Sequence, residues 1–392
     1  ESGLIVRAAY YLDASYEGDL MALAGVSHWI GREANDVHGE LLSGVQLREQ
    51  HQFEFPVDPY IREGDPASGL LPGIWPEPLA PQGSGDKKIQ AYNFRMCLTQ
   101  SADRLPFFQP DGYDPRRYEL LARYFRGGFR RFFRKFNFIR NGKTDTNNYG
   151  AFSTDLIGGN WTFPEAGYAE REAVFQDHVN YQAGLFWFVS HDPSVPPEIR
   201  ARMQSWGLAP DEFPDTGGWP HQLYIREARR LVSDLVITEA DCRGWRKASD
   251  PVGLGAYTMD SHNCQRVVVH GCVRNEGDVQ VGGFPPYPIS YRSIIPKRGE
   301  AENLFVPVCL AASHIAYGSA RMEPVFMILG ESAALAADLA LSENAAAVQD
   351  VNYGRLRARL SAAGQILEWT EPAQPGSEDT EPVCAAHAPP PA

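Results

Sequence analysis

The sequence predicts an α/β protein, because strand-like and helix-like runs alternate along most of its 392 residues. The stretch YLDASYEGDLMALAG, residues 11–25, is typical of a strand that ends in a tight turn and leads into a helix. A second strand, loop and helix follow one another in residues 303–342. Between these two units, the helix-periodic runs 164–191 and 220–242 predict a middle region in which helices dominate.

The first unit has the layout of a nucleotide-facing junction. We predict a strand over residues 5–12 and a helix that starts near Gly18 or Asp19. One interpretation brings the backbone at Ala14 and Ser15 close to a bound nucleotide, with Asp19 near the helix start. The alternative is a plain strand end, at which Asp19 caps the helix or occupies its first turn.

The middle of the chain combines long loops with predicted helices and a hairpin. Residues 26–115 are rich in Gly, Pro and aromatic residues, which is typical of functional loops. Pro164 lies in the first turn of the predicted helix 164–191. The run QRVVVHGCVRNEGDVQV, residues 265–281, predicts a β-hairpin with its turn at 275–278.

The predicted helix 220–242 has apolar residues on one side, among them Ile225 and Val232. Its charged residues, which include Arg226 and Arg230, are expected to pair with Glu227 on another face. Ion pairing on a helix surface then explains these arginines without a functional role.

The last part of the chain predicts two strands and a long helix. The strand-like runs are YPISYRSIIP and NLFVPVCLAAS, residues 287–296 and 303–313, and the helix has Pro324 near its first turn. Beyond Leu367 the tail is rich in Pro and Glu, which predicts disorder.

The composition argues against nucleic acid and membranes as partners. The net charge is −13, from 36 basic and 49 acidic residues. No run approaches the ~18 apolar residues of a membrane span, so we expect a soluble protein. The exception to the acidic composition is the basic, aromatic segment 123–140. A solvated helix whose Phe residues pack inward explains this segment better than a nucleic-acid or phosphate patch does.

The six cysteines show no C-x-x-C spacing and no repeated interval, which predicts free thiols and neither a metal site nor a disulfide scaffold. The chain opens Glu-Ser-Gly without a signal-like segment. We therefore expect that it is trimmed at its front and that its compartment is unknown from these residues.

The run CLAASHIAYGSARMEPVFMILGESAALAA, residues 309–337, has the composition of a flavin contact. The first turn of a helix offers main-chain N–H groups and a positive dipole end, which stabilise the negative charge of a reduced flavin. Gly318 and Ser319 are small enough to let a ring approach the backbone, and Arg321 adds positive charge. The alternative is an ordinary buried helix behind a strand.

The run YPISYRSIIPKRGEAENLFVPVCLAASHIAYGSARMEPVFMILGESAALAADLA, residues 287–340, closely resembles the C-terminal signature of a family of FAD-dependent oxidoreductases. Members are often found in bacterial carbohydrate-degrading contexts, and some are labelled xanthan lyase. Four other runs are also similar to this family: DASYEGDLMALAGV, KTDTNNYGAFSTDLIGGN, GGWPHQLYIREARRLVSD and VGLGAYTMDSHNCQR. The resemblance extends over about residues 5–367.

The resemblance implies the two-domain flavoprotein fold of the glutathione reductase superfamily. In this fold a Rossmann-like FAD/NAD(P)-binding domain, here truncated at its N-terminus, carries an inserted and largely helical substrate domain. We expect the FAD-binding domain to comprise residues 1–45 and 286–365, the substrate domain 46–285, and a disordered tail 366–392.

The cofactor that the resemblance implies is FAD. The residues that it places against FAD lie on the first and the last segments: Asp13, Ala14, Ser15, Gly18, Asp19, Ser313, Gly318, Ser319, Arg321, Met322 and Glu323. The family opens with a G-x-G-x-x-G motif whose amides bind the pyrophosphate. This sequence has only the G-x-G pairs of residues 83–88 and 253–258, so we expect the first half of the FAD site to be absent from the chain.

The implied reaction moves a hydride between a substrate carbon and flavin N5, and a histidine suits the role of proton acceptor near neutral pH. His314, just before the helix expected to face the flavin, is the first candidate, and His262 and His221 in the matching motifs follow. Arg292 is expected to fix a substrate carboxylate or sugar hydroxyl, and Tyr291 to donate a hydrogen bond. For each histidine the alternative is a core residue with satisfied hydrogen bonds.

Three functions therefore compete. The first is an FAD-dependent oxidoreductase that acts on a small polar, carbohydrate-derived substrate. The second is a polysaccharide lyase or other carbohydrate-active enzyme, which the aromatic content of 11% would suit. The third is a noncatalytic remnant that binds a small ligand. We expect a small molecule as the partner, and neither nucleic acid nor a membrane. A homo-oligomer is compatible with the sequence.

Overall fold

The computed structural model describes residues 3–370, in which short elements are joined by long loops. The α-helices of this range are α1 (Asp19–Leu23), α2 (Asn35–His38), α3 (Glu119–Arg126), α4 (Tyr168–His191), α5 (Pro197–Gln204), α6 (Glu239–Cys242), α7 (His314–Ala320), α8 (Glu323–Glu343) and α9 (Tyr353–Ala362). Single 3-10 turns are Pro66–Ser68, Pro115–Tyr118, Phe132–Lys135, Arg140–Gly142, Pro214–Thr216, Tyr291–Ile294 and Val348–Asp350.

The strands of the same range are β1 (Tyr11–Leu12), β2 (His28–Trp29), β3 (Leu98–Thr99), β4 (Phe136–Phe138), β5 (Thr144–Thr146), β6 (Gly207–Leu208), β7 (Arg230–Leu231), β8 (Pro251–Gly255), β9 (Met259–Ser261), β10 (Gln265–Val269), β11 (Cys272–Glu276), β12 (Val279–Val281), β13 (Tyr287–Ser290) and β14 (Leu304–Phe305). They form two-stranded pairs: β1–β14, β2–β7, β3–β6, β4–β5, β8–β13, β9–β12 and β10–β11.

The pair β1–β14 joins the beginning and the end of the chain. It is parallel, with Tyr11 opposite Leu304, whereas the other pairs of the described residues are antiparallel. The predicted strand over residues 5–12 is shorter than expected, because Ile5 and Val6 are exposed and have no sheet to pack against. α1 begins at Asp19 as predicted.

Residues 220–242, predicted as a helix, are extended over most of their length. β7 in this segment pairs with β2, and only α6 at its end is helical. The prediction was wrong because the charged residues do not face solvent: Arg226, Glu227 and Arg230 are at most 2% exposed. In an extended backbone, successive side chains point to opposite sides and reach partners in different parts of the interior.

The predicted hairpin of residues 265–281 is present, but its turn lies elsewhere. β10 and β11 pair antiparallel over their full lengths. The turn consists of His270 and Gly271, which have φ of 50° and 75°, as a two-residue type I′ turn requires. The predicted turn residues 275–278 instead end β11 and lead into β12.

The two long helices, α4 and α8, were both predicted. α4 starts at Tyr168 and not at Pro164, and α8 has Pro324 in its first turn. Among the described residues, α8 alone has the length and hydropathy of a membrane span, contrary to the expectation that no run of the sequence approaches one. Half of its most apolar stretch is buried inside the protein, as is typical of a core helix.

The apolar core has two large clusters. One is built from residues between 30 and 273 and includes Tyr92 and Phe186. The other surrounds α7, α8 and α9, and Met259 and Val279 belong to it. The predicted domain boundary at 285 therefore does not separate the two clusters, because strands before this point pack with the last helices.

The segment predicted as the substrate domain is not largely helical. Within residues 46–285 the structure has four α-helices and ten strands. The main reason is that the run 220–242 is extended. The described cysteines are free thiols, as predicted. Cys384 and residues 371–392, most of the tail predicted to be disordered, lie outside the described residues.

Candidate active site

A polar pocket of about 500 Å³ lies beside β9. Tyr257, Asp260 and His262 contribute to its wall, as does Asn148 from the loop after β5. A larger cavity, of about 600 Å³ and lined by Trp161, has no histidine in its wall. Because its wall includes His262, one of the predicted bases, we take the pocket beside β9 as the candidate active site and call it the His262 pocket.

His262 and Asp155 form a buried pair at the wall of this pocket. His262 Nδ1 lies 2.8 Å from Asp155 Oδ2, and Arg226 Nη1 lies 3.0 Å from the other carboxylate oxygen. His262 Nε2 makes no hydrogen bond within residues 3–370 and lies 3.8 Å from Asp260 Oδ2. A histidine that is oriented by a carboxylate and keeps one nitrogen free has the arrangement of a general base.

The surroundings of this pair keep His262 neutral and Asp155 ionised. Burial lowers the pKa of His262 below its usual 6.5, and the nearby Arg226 cation lowers it further, against the effects of Asp155 and Asp260. Burial alone would raise the pKa of Asp155, but Arg226 and His262 lower it below its usual value. A neutral imidazole at pH 7 is ready to accept a proton.

His314, the first candidate base, has no free ring nitrogen. Its Nδ1 lies 2.8 Å from Glu227 Oε2, and its Nε2 lies 3.0 Å from Ser261 Oγ. The side chain is buried, and its main-chain N–H donates to Glu33 Oε2 at 2.9 Å. His314 therefore has the contacts of a satisfied core histidine, which was the alternative interpretation.

Glu227 is the centre of the network that holds His314. Arg230 Nε lies 2.9 Å from Glu227 Oε1, and Arg230 Nη1 lies 2.7 Å from Glu33 Oε1. Gln90 donates to Glu227 Oε2 at 3.1 Å. Burial opposes the ionisation of Glu227, but His314 and Arg230 lower its pKa below the usual value. The network thus ties the extended segment 220–242 to the start of α7.

The other predicted catalytic residues lie outside the wall of the His262 pocket. His221 is exposed, and its Nε2 lies 2.8 Å from Asp215 Oδ1. Arg292 is paired with Asp250, whose Oδ2 accepts from Arg292 Nε at 3.0 Å. The buried Tyr291 hydroxyl donates to a main-chain carbonyl at 2.8 Å. The structure therefore does not bring these three residues together with His262.

The turn between β1 and α1 is held by two of the residues predicted to bind FAD. Asp13 Oδ1 accepts from Ser15 Oγ at 2.6 Å, and Asp13 Oδ2 accepts from Met21 N at 2.9 Å. Gly18 N donates to Ser15 Oγ at 3.0 Å, and Gly18 has a left-handed φ of 69°. Asp13 therefore satisfies an amide in the first turn of α1.

Asp19 forms ion pairs with arginines from other parts of the chain. Its Oδ2 lies 2.6 Å from Arg171 Nη1, and its Oδ1 lies 2.6 Å from Arg229 Nη1. The main-chain N–H groups of Ala14 and Tyr16, in contrast, donate no hydrogen bond within residues 3–370. The side chains thus build the turn, and the amides of Ala14 and Tyr16 are left free.

The first turn of α7 is closed by polar side chains. Ser313 Oγ accepts from Ala316 N at 3.3 Å and donates to Glu40 Oε1 at 2.5 Å. The His314 amide is bound by Glu33. The amides of His314 and Ala316 are therefore engaged within the protein, and α7 occupies residues that the sequence analysis assigned to a loop before the long helix.

The small residues of α7 are explained by packing against β9. A Cβ on Gly318 would lie 2.8 Å from the main-chain oxygen of Asp260, so the backbone of β9 occupies that space. Ser319 Oγ donates to the main-chain oxygen of Tyr257 and accepts from Tyr287 Oη at 2.9 Å. Close approach of a strand accounts for these residues, and contact with a flavin stays a prediction.

The start of α8 is more open than the start of α7. Arg321 is buried and donates to the main-chain oxygen of Asp260 at 3.1 Å, while its Nε has no hydrogen-bond partner in the described structure. Met322 is half-buried and Glu323 is exposed. The ring of Tyr16 contacts Phe326 in this first turn, with centroids 5.9 Å apart. We call residues 14–16 together with 321–323 the α8 surface.

The comparison with protein families matches the chain, over residues 1–360, to the family described as FAD dependent oxidoreductase. The chain belongs to this family. Its cofactor is accordingly FAD, its fold includes an FAD-binding Rossmann-type unit, and its class of enzyme is oxidoreductase. No curated protein and no solved structure gives a significant match. Within residues 3–370, no group of three His, Cys, Asp or Glu side chains is placed to hold a metal ion.

The α8 surface has donors that suit the flavin ring of FAD. It offers the free main-chain amides of Ala14 and Tyr16 and the positive end of a 21-residue helix. The electron-rich N1–C2=O edge of a flavin needs donors and positive charge of this kind. The parallel pair β1–β14 ends at this surface, where α/β proteins bind their ligands.

The two G-x-G pairs of the sequence do not form a pyrophosphate site in the described structure. Gly83 and Gly85 lie in a loop packed against α2, with no strand before them and no helix after them. Gly253 and Gly255 lie inside β8. Neither G-x-G pair therefore forms the strand, turn and helix that bind a pyrophosphate.

Sequence reasoning missed Asp155, Asn148 and Glu227. Asp155 and Asn148 lie in the run KTDTNNYGAFSTDLIGGN, which was noted for its resemblance but from which no residue was selected. Polar residues within that run were the available signal. Glu227 was assigned to an exposed helix face, and no local pattern reveals that it is buried.

Proposed function

We propose that the protein oxidises a small polar substrate, with FAD as the hydride acceptor and His262 as the base. The observation that carries this proposal is the buried His262–Asp155 pair with a free Nε2 in a pocket. Asp260 connects this base to the α8 surface, since its Oδ2 lies 3.8 Å from His262 Nε2 and 3.3 Å from Arg321 Nη2.

The residues of the chain have separate roles in this proposal. When bound, FAD accepts a hydride from a substrate carbon. His262 Nε2 takes the proton from the hydroxyl or amine on the same carbon, so that a carbonyl or imine results. Asp155 stabilises the imidazolium that forms, and Arg226 keeps Asp155 ionised and in place.

Two finer statements belong to the same proposal. We infer the fold of the glutathione reductase superfamily, with the α8 surface against the flavin, from the motif in residues 287–340 and the free donors of that surface. We infer a polyhydroxylated, carbohydrate-derived substrate because amide and hydroxyl groups, such as those of Asn148 and Thr258, contribute to the pocket wall. The domain boundaries and a homo-oligomeric state stay predictions.

The first test compares His262→Gln with His221→Gln. Both histidines have an Asp partner, but His221 lies on the surface. A positioned base contributes roughly 10²–10⁴-fold to a rate. We expect His262→Gln to slow anaerobic reduction of FAD-loaded protein by this factor, measured by stopped-flow bleaching with the fastest substrate from a panel of polyols, sugar acids and amines. The His221 variant should keep the wild-type rate, and an unchanged rate in the His262 variant would refute the proposed base.

The same measurement has an expected dependence on pH. His262 accepts a proton only in its neutral form, and burial lowers its pKa below 6.5. The rate of flavin reduction should therefore be high at neutral pH and fall as the pH drops below about 6.5. The acid limb should be lost in His262→Gln, and a limb that survives the substitution would belong to another group.

A further inference from the structure

The His262 pocket also contains basic side chains that no part of the proposed reaction uses. His51, Arg134 and Lys135 line it together with His262. Arg134 stacks its guanidinium over the Tyr149 ring at 4.6 Å, but within residues 3–370 neither Arg134 nor Lys135 has an acidic partner or a side-chain hydrogen bond. These two positive charges therefore lack a counter-ion from the described part of the chain.

His51 adds to the positive character of this wall. Its Nδ1 lies 2.9 Å from Asp278 Oδ2. Burial would lower the pKa of His51, but the Asp278 contact and the charges of Asp155 and Asp260 raise it above 6.5. His51 and His262 share one pocket, and their surroundings shift their pKa values in opposite directions, so His51 is the more readily protonated of the two.

A neutral donor completes this part of the pocket. Asn148 is only 4% exposed, and its side-chain amide has no hydrogen bond within the described residues. The amide reaches the pocket and is therefore available to hydrogen-bond a ligand there. Asp260, an acidic residue of the same wall, is already paired with Arg321 at 3.3 Å.

We propose that the substrate carries an anionic group, a carboxylate or a phosphate, which binds to Arg134, Lys135 and Asn148 while the reacting carbon lies at His262. Guanidinium and ammonium groups bind such anions through charge-assisted hydrogen bonds. The inference rests on the proposed function and adds the class of substrate to it. It also revises the interpretation of segment 123–140, since its residues 134 and 135 face a pocket and not bulk solvent alone.

The test is equilibrium binding to the purified protein by isothermal titration calorimetry. The probes are glucitol, gluconate and glucitol 6-phosphate, which share a six-carbon polyol chain and differ in charge. We expect at least one of the two anions to bind about tenfold or more tightly than glucitol, and the stronger of the two identifies the anion. Equal binding of all three probes would overturn the inference.

Two variants and a control locate the anion site. Arg134→Gln and Lys135→Gln should each reduce the preference for the anion about tenfold, and circular dichroism shows whether each variant is folded. Arg140→Gln removes an exposed charge of the same basic segment outside the pocket wall, so its binding should equal that of the wild type. A preference that survives both Arg134→Gln and Lys135→Gln would overturn the inference.

The outcomes separate this inference from the proposed function. Both proposals are supported if the wild type prefers the anion, Arg134→Gln and Lys135→Gln lose this preference, and His262→Gln is slow. No anion preference, together with a slow His262→Gln variant, rejects the anionic substrate and keeps the oxidoreductase proposal. An anion preference together with a fast His262→Gln variant rejects His262 as the base and keeps the anion site.

Discussion

Glu227 shows how strongly this protein depends on individual buried charges. It lies between His314 and Arg230, and its carboxylate has no exposed surface. The loss of one partner in a buried ion pair leaves the other charge without compensation, which costs more than the pair contributes when it is intact.

We therefore expect Glu227→Gln to lower the free energy of unfolding by about 3–5 kcal/mol, measured by urea denaturation with circular dichroism. The control is Glu49→Gln, which removes an 86% exposed partner of Arg274 and should change stability by less than about 1 kcal/mol. Similar small effects for both variants would show that the buried network is not a source of stability.

The same residue determines part of the response to acid. Because His314 and Arg230 lower the pKa of Glu227 against the effect of burial, its contribution to stability is present above pH 4.5 and declines as the pH falls below that value. The Glu227→Gln variant should consequently lose less of its remaining stability than the wild type does as the pH falls below 4.5.

At the scale of elements, the contact between α7 and β9 positions the candidate site. β9 holds Asp260 at the pocket wall and Ser261 against His314, and it lies against Gly318 of α7. A side chain at position 318 would push β9, and with it the base at position 262, away from α7. Packing between these two elements thus links α7 to the pocket.

We expect Gly318→Ala to destabilise the protein by about 1–3 kcal/mol, because its Cβ would meet the β9 backbone at 2.8 Å. Gly330→Ala in α8 is the matched control, since nothing lies within 4 Å of the added Cβ. Replacement of a helical glycine by alanine at an open position should stabilise by about 0.5–1 kcal/mol. Thermal unfolding of both variants checks this pair, and a neutral Gly318→Ala would contradict the packing argument.

Some helices and strands were predicted correctly from sequence patterns, and one segment was not. α8 and the strands of the hairpin β10–β11 were predicted because periodicity and propensity are local properties. The run 220–242 has the same helical periodicity but is extended. Its buried arginines find partners at Asp155, Asp19 and Glu33, and these tertiary ion pairs outweigh a weak local preference for helix.

At the scale of the whole molecule, the family implies FAD as the cofactor, and the flavin ring is predicted to lie at the α8 surface. The two G-x-G pairs of the sequence form no phosphate-binding loop in the described structure. A ligand that binds the folded state raises the unfolding temperature according to its affinity.

We therefore expect FAD and FMN to raise the unfolding temperature of the purified chain by similar amounts when each ligand is added at the same concentration; a ligand at about 100 times its Kd contributes roughly 2.7 kcal/mol. ADP, which has the pyrophosphate and the adenosine without the flavin, should have little effect. A shift with ADP as large as that with FAD would show that the chain binds the other end of the cofactor.

The sequence by itself determined the cofactor class, the turn between β1 and α1, and the long helices, because motifs, turn residues and periodicity are written in neighbouring positions. Only the tertiary structure decided which histidine is free to act. His262 and Asp155 are 107 positions apart, and His314 and Glu227 are 87 apart. No local pattern records such pairs, since folding alone brings the partners together and leaves one histidine with a free nitrogen and the other with none.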